Sequence, residues 1–123
     1  MHELSLAMSV MDIVERESGK LHNPNIKAIE IEIGDFAGVE ISAFRFSMEA
    51  VIKASLHSGA EVRIIQLPAI AECKNCGMSF NAVSRFCCCP GCGEYGVALV
   101  QGMEFRLTAI VFDDIQDKDC YNE

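Results

Sequence analysis

The chain of 123 residues lacks any long apolar run, although half of its residues are apolar. A helix that crosses a bilayer needs ~20 consecutive apolar residues, and no segment approaches that length. The first residues, Met1-His2-Glu3, also lack the basic and apolar segments of a secretory signal. The sequence therefore predicts a cytoplasmic protein with a packed core and without a membrane partner.

Positive charge is scarce as well. Ten Lys and Arg residues stand against 18 Asp and Glu residues, and the net charge is −8 with neutral histidines. Nucleic-acid-binding proteins usually carry a basic patch, so we expect no nucleic-acid partner. The acidity fits either a basic partner or solubility alone. The chain also lacks a nucleophile–base motif and a phosphate-binding loop, so we do not expect an enzyme.

What the chain does contain is apolar periodicity in two patterns. Helical spacing and strand alternation predict the elements. The predicted helices span 4–18 and 42–57, and the predicted strands span 29–33, 61–67 and 105–112. The expected buried stripe of the first helix consists of Leu4, Ala7, Met8, Met11, Ile13 and Val14. Ser42 is the expected N-cap of the second helix, and Gly59 is the expected residue just beyond its end.

The character of the chain changes at Pro68, where small residues and cysteines begin to dominate up to Gly102. We therefore predict an α+β fold: a small β-sheet with two helices on one face, interrupted by an inserted zinc-ribbon-like domain. The predicted divisions are a discontinuous main domain of residues 1–67 and 103–113, a zinc-binding domain of residues 68–102, and an acidic flexible tail of residues 114–123.

Four of the seven cysteines form two Cys-x-x-Cys-Gly units, with twelve residues between the second cysteine of the first unit and the first cysteine of the second. The units are Cys73-Lys-Asn-Cys76-Gly77 and Cys89-Pro-Gly-Cys92-Gly93. Two intervening residues let both sulfurs of a tight turn face one ion, and the following glycine can adopt the positive φ that closes the turn. Structural zinc sites favour four thiolates in a closed tetrahedral shell. We therefore predict a structural Zn(II) held by Cys73, Cys76, Cys89 and Cys92.

Two alternatives stay open at this point. Tetrahedral sulfur also suits iron, so a rubredoxin-like electron carrier is possible, as is a zinc-ribbon module that binds other proteins. The choice of Cys89 is a further question, because Cys87 and Cys88 directly precede it. Cys89 is selected by its spacing from Cys92, which leaves Cys87 and Cys88 as spare thiols. Cys120 has no visible role.

The amino terminus is a second candidate metal site. The α-amine of Met1, the amide nitrogen of His2 and its imidazole can chelate one ion in five- and six-membered rings, and the amide of Glu3 can supply a fourth nitrogen. Nitrogen-rich planar sites suit Ni(II) or Cu(II). The affinity should rise with pH, because the amides must lose protons.

These features together resemble a known family. The chain begins Met-His-Glu-Leu-Ser-Leu-Ala and continues into an amphipathic helix. It carries Ile33-Gly34 and Val39-Glu40 before the second helix, and the two cysteine knuckles follow. In these respects residues 1–113 resemble the HypA/HybF family of hydrogenase maturation factors, which are nickel metallochaperones.

The resemblance implies that Ni(II) is the cargo and is bound through Met1, His2 and Glu3. It implies delivery to a [NiFe]-hydrogenase large-subunit precursor together with a maturation GTPase, and in some relatives service to urease maturation proteins. The family's acidic position falls on Glu40, which either supports the second ring nitrogen of His2 from the second coordination sphere or is a solvated charge. The chain departs from some relatives in having no histidine between residues 68 and 123.

Overall fold

The computed structural model describes residues 2–22, 24–84 and 87–113. It confirms the α+β class, with two helices and two small sheets. The elements in chain order are α1 (Glu3–Gly19), β1 (Ile26–Gly34), α2 (Ile41–Lys53), β2 (Glu61–Leu67), β3 (Ile70–Cys73), β4 (Ser79–Asn81), β5 (Val97–Gln101) and β6 (Phe105–Phe112). None of the helices in the described part of the chain is long and apolar enough to cross a membrane.

The first sheet has the strand order β2-β1-β6, with β1 in the centre. The side chains of Ile29, Ile31 and Ile33 on β1 are fully buried, while Glu30 and Glu32 between them are half-buried. The acidic residues are paired across the sheet, Glu30 with Arg63 at 3.3 Å and Glu32 with Arg106 at 2.7 Å. The alternation that predicted this strand is therefore confirmed, since one face is buried and the other is charged.

Helix α1 packs against α2, and its predicted buried stripe is confirmed in part. Ala7, Met11 and Val14 are buried, whereas Leu4 and Met8 are each 54% exposed. Both sets recur at helical spacing, and they lie on neighbouring flanks of the same helix. The prediction is therefore confirmed for the buried set and wrong for the exposed set, to which Ile13 also belongs, because periodicity alone could not decide which flank faces the core.

Helix α2 begins and ends earlier than the sequence indicated. Its N-cap is Glu40 rather than Ser42, because the Glu40 carboxylate accepts the N–H of Ala43 at 2.9 Å. The helix ends at Lys53 with Ala54 as its C-cap, several residues before Gly59. The chain turns there because the Ser55 hydroxyl donates to the carbonyl of Ile52 at 2.7 Å. A serine that bonds its own helix end favours such a turn.

The second sheet has the order β4-β3-β5, and both pairings are antiparallel. Ala71 on the central strand pairs with Phe80 on one side and Leu99 on the other. Strand β3 ends at Cys73, so the sheet fixes the position of the first cysteine of the first knuckle. These three short strands were not predicted, since small residues and cysteines carry no clear alternation.

The chain forms two compact units. The first comprises Met1–Ile31, Val39–Ile64 and Leu107–Glu123, and the second comprises Glu32–Gly38 and Ile65–Arg106. Within the second unit Gly34 and Gly102 approach so closely that a Cβ on Gly34 would overlap the Gly102 carbonyl. The predicted boundaries at residues 68 and 102 stay a prediction, and the predicted tail of residues 114–123 lies outside the described residues.

Candidate metal centre

The two cysteine knuckles bring four sulfur atoms together. The ligand atoms of Cys73, Cys76, Cys89 and Cys92 all lie within 4.8 Å of one another. The Cys73–Cys92 and Cys76–Cys89 sulfur pairs are each 3.6 Å apart. A tetrahedral zinc with Zn–S bonds near 2.3 Å separates its sulfurs by about 3.8 Å. The spacing of the four sulfurs therefore fits one tetrahedral ion.

Both knuckles have the same backbone conformation. The N–H of Gly77 donates to the carbonyl of Cys73 at 2.9 Å, and the N–H of Gly93 donates to that of Cys89 at 2.8 Å. Each of these glycines has a φ of +79°, which residues with a Cβ rarely adopt. The glycine that follows each Cys-x-x-Cys is therefore part of the knuckle, as its place in the sequence indicated.

The structure also bears on the choice among the three consecutive cysteines. Cys89 is 1% exposed, and its sulfur accepts the N–H of Gly91 at 3.3 Å. Cys87 is half-buried and Cys88 is exposed, and neither belongs to the four-sulfur group. The knuckle turn begins at Cys89, so this residue alone of the three directs its sulfur toward the others.

Hydrogen bonds make the thiols of the metal-free site unequal. The N–H of Glu94 and the side chain of Asn75 donate to Cys92 and lower the pKa of its thiol to about 7. At Cys76 the N–H of Met78 favours the thiolate, but hydrogen bonding with the Cys89 thiol, loss of water and the other thiols outweigh it and raise the pKa to about 11. Four thiolates this close repel one another, which a bound cation would relieve.

The donor set is suited to a closed structural site. Within residues 2–22, 24–84 and 87–113, no second group of three or more His, Cys, Asp or Glu side chains converges in this way. Four thiolates satisfy the preference of Zn(II) for a sulfur shell and leave no position for a substrate. Zinc bound by these residues would hold the two knuckles together and would not catalyse.

Sequence reasoning missed two contacts of the four sulfurs. The Asn75 amide lies 3.6 Å from the sulfur of Cys92, and the thioether of Met78 lies 4.0 Å from that of Cys89. The repeated pattern Cys-x-x-Cys-Gly-x could have drawn attention to Met78, because it places Met78 and Glu94 at equivalent positions after the two knuckles. Which side chain reaches across to the other knuckle depends on the folded geometry.

The candidate nickel site lies at the start of α1, where Met1 is outside the described residues. His2 is the exposed N-cap of this helix, and its carbonyl accepts the N–H of Leu6 at 3.0 Å. Its imidazole makes no capping hydrogen bond to the described part of the chain. The imidazole is therefore available to a ligand, beside backbone nitrogens that no helical carbonyl engages.

Glu3 and Glu40 connect this helix start to that of α2. The Glu3 carboxylate accepts the N–H of Glu40 at 2.9 Å. This bond is the main reason that the pKa of Glu3 lies below its ordinary value of 4.5. The contact is present above that ordinary value and is lost as the pH falls through the lowered pKa. Glu40 uses Oε1 for its own helix, and its Oε2 accepts no hydrogen bond within the described residues.

Comparisons with known proteins all point to one family. A family profile described as "Hydrogenase/urease nickel incorporation, metallochaperone, hypA" matches residues 1–112. The hydrogenase maturation factor HypA of Azotobacter chroococcum is 37% identical over 107 residues, which cover 87% of this chain and 95% of the relative. That of Geobacter metallireducens is 38% identical over 107 residues, with coverage of 87% and 94%.

A solved structure supports the same family assignment. The solution structure of the nickel metallochaperone HypA from Helicobacter pylori is 26% identical, covers 91% of this chain and 97% of its own, and superposes with a TM-score of 0.62. The resemblance inferred from the amino-terminal residues and the paired knuckles is therefore confirmed. The chain belongs to the HypA family of hydrogenase/urease nickel-incorporation metallochaperones, which are maturation factors rather than enzymes.

Proposed function

We propose that this chain binds Ni(II) at its amino terminus and delivers it for the maturation of [NiFe]-hydrogenase, with a structural Zn(II) in the four-cysteine site. The observation that carries the nickel site is the exposed His2 at the N-cap of α1, whose imidazole makes no capping hydrogen bond to the described residues. The ligands are the amine of Met1, the imidazole and amide nitrogens of His2, and the amide nitrogen of Glu3. Such a set of nitrogens suits Ni(II).

The geometry at the helix start supports this ligand set in two ways. The first N–H groups of a helix have no carbonyl acceptor within it, so nitrogens at His2 and Glu3 can bind metal without breaking the helix. The Glu3 carboxylate already accepts the N–H of Glu40, so Glu3 contributes its backbone nitrogen and its side chain anchors the site. The Oε2 of Glu40, which accepts no hydrogen bond from the part of the chain that the structure describes, is the atom that would support the His2 ring.

An exposed site with few side chains suits a carrier, because the ion must leave. Ligand exchange in a protein complex passes nickel to the [NiFe]-hydrogenase large-subunit precursor, with a maturation GTPase as the second partner, in the cytoplasm. Urease maturation proteins are further candidate recipients, since the family description names urease incorporation.

Nickel titration of the tag-free protein tests the site. His2→Ala and a variant extended at its amino terminus should each lose at least tenfold in nickel affinity, because each removes a nitrogen ligand. His22→Ala is the matched control, since His22 is also exposed and lies beyond α1. Unchanged affinity in the first two variants would exclude an amino-terminal site.

Metal analysis tests the four-cysteine site separately. We expect one zinc per chain and a colourless protein, while a red protein with iron would favour an electron carrier. Cys89→Ser should lose the zinc, whereas Cys88→Ser should keep it, because Cys88 lies outside the four-sulfur group. Zinc retained in Cys89→Ser but lost in Cys88→Ser would refute the ligand assignment.

A further inference from the structure

The two knuckles share one backbone conformation but differ in the side chain that follows each glycine. Met78 and Glu94 hold equivalent positions, because their carbonyls accept the N–H groups of Cys73 and Cys89, each at 2.9 Å. The local pseudo-symmetry would give the sulfurs of the two knuckles similar surroundings. Any difference between the knuckles must therefore come from side chains such as these two.

Burial divides the four cysteines into two pairs. Cys73 and Cys89 are each 1% exposed, whereas Cys76 and Cys92 are exposed. Cys73 ends the central strand of its sheet, which accounts for its burial. Cys89 belongs to no helix or strand, so its burial depends on the side chains around it.

Met78 reaches from the first knuckle to the second. Its thioether sulfur lies 4.0 Å from the sulfur of Cys89, and its side chain stays 42% exposed, so it lies between Cys89 and water. Gly91 leaves room for this contact, since a Cβ there would stand 2.8 Å from the Met78 sulfur. The contact thus requires a long, flexible apolar side chain at position 78 and none at position 91.

We infer that Met78 is a positioning residue of the four-cysteine site: its side chain covers Cys89, holds the second knuckle against the first, and leaves Cys76 and Cys92 as the sulfurs open to electrophiles. The inference rests on the proposed zinc function. Reagents in solution attack the exposed pair first and the covered pair later, so the site opens in a fixed order.

Alkylation of the zinc-loaded, full-length protein by N-ethylmaleimide tests this order. A thiolate adds to the maleimide double bond and water supplies the proton that completes the adduct, so the modified sulfur leaves the zinc. Peptide mass spectrometry at low conversion gives the rate at each cysteine. In the unchanged chain Cys76 and Cys92 react before Cys73 and Cys89. Met78→Ala raises the Cys89 rate severalfold and leaves the Cys73 rate unchanged.

Three further variants make the comparison specific. Glu94→Ala is the same truncation at the equivalent position and leaves the Cys89 rate unchanged. Met78→Leu keeps an apolar cover and retains the protection. Gly91→Ala displaces the thioether and raises the Cys89 rate as Met78→Ala does. Combining Gly91→Ala with Met78→Ala adds nothing further, because the two changes act on one contact.

The outcomes separate this inference from the zinc site itself. The role of Met78 would be refuted if Cys89 is alkylated at equal rates in the unchanged chain, in Met78→Ala and in Gly91→Ala, each with full zinc content. If Met78→Ala loses zinc, Gly91→Ala decides the question alone. Zinc content far below one ion per chain in the unchanged protein would contradict the proposed zinc site, and alkylation of the metal-free variants would then decide the role of Met78.

Discussion

His2 stands at a position where Ser, Thr, Asp or Asn would stabilise the helix. Such residues accept a backbone N–H of the first turn and contribute ~1 kcal/mol. The His2 side chain makes no such bond to the described residues, and its φ of −100° and ψ of 84° differ from those of an extended cap. A poor capping residue at a helix start is consistent with a side chain that serves to bind a ligand.

We predict that His2→Asn separates stability from metal binding. Asparagine is a strong N-cap, so the free energy of unfolding should stay equal or rise by up to about 1 kcal/mol, while nickel affinity falls because the imidazole is gone. Urea unfolding and nickel titration of the same preparation measure both quantities. Nickel affinity equal to that of the unchanged chain would contradict the role of His2.

The unequal thiols of the four-cysteine site predict a pH-dependent release of protons on zinc binding. The pKa of Cys92 is about 7 in the metal-free protein, so this group is mainly thiolate at pH 8 and mainly thiol at pH 6. Zinc must displace the proton from a protonated ligand. The number of protons released should therefore be larger at pH 6 than at pH 8, by a fraction of one proton.

Calorimetric zinc titration in buffers of different ionisation enthalpy measures this number. Asn75→Ala is the informative variant, because the Asn75 amide also lowers the pKa of Cys92. In this variant the change in proton release should occur at higher pH. A release that does not change with pH would show that Cys92 is not the low-pKa ligand.

At the scale of elements, the start of α2 depends on two carboxylates. Glu40 caps its own helix through the N–H of Ala43, and Glu3 accepts the N–H of Glu40 from the start of α1. The two helix starts are therefore tied together beside His2. A change at either carboxylate should affect both helix stability and the position of the candidate nickel ligands.

Glu40→Ala and Ser42→Ala form a matched pair for this conclusion. Loss of the Glu40 cap should lower the free energy of unfolding by ~1 kcal/mol. Ser42, which the sequence indicated as the cap, is exposed within the first turn, and its truncation should change stability by less than about 0.5 kcal/mol. Urea unfolding decides between them. A larger loss for Ser42→Ala would restore the sequence-based assignment.

At the scale of the whole molecule, the two units have unlike cores. The first buries large side chains such as Phe44, Met48 and Ile29. Among the described residues of the second, Ile33 is the one large apolar side chain that is buried, and the others are Ala69, Ala71, Cys73 and Cys89. Such small side chains bury little apolar surface, so a bound metal should contribute much of the folding energy of the second unit.

Removal of the metal should therefore unfold one unit and spare the other. With a strong zinc chelator, the amide NMR signals of residues 65–106 should lose their dispersion, whereas those of Val14 and Ile29 should keep their positions. Zinc added back should restore the spectrum. A dispersed second unit in protein shown to contain no metal would refute the structural role.

The sequence by itself determined the strands at 61–67 and 105–112, the alternation of β1, the four clustered cysteines and the family, because periodicity and short motif spacing act over a few residues. Only the tertiary structure decided which flank of α1 is buried, that Glu40 rather than Ser42 caps α2, and that Met78 covers Cys89. Each of these depends on a contact between segments distant in the chain or on the local path of the backbone. Such contacts produce no periodic pattern in the sequence, whereas the geometry of each knuckle is determined by six consecutive residues.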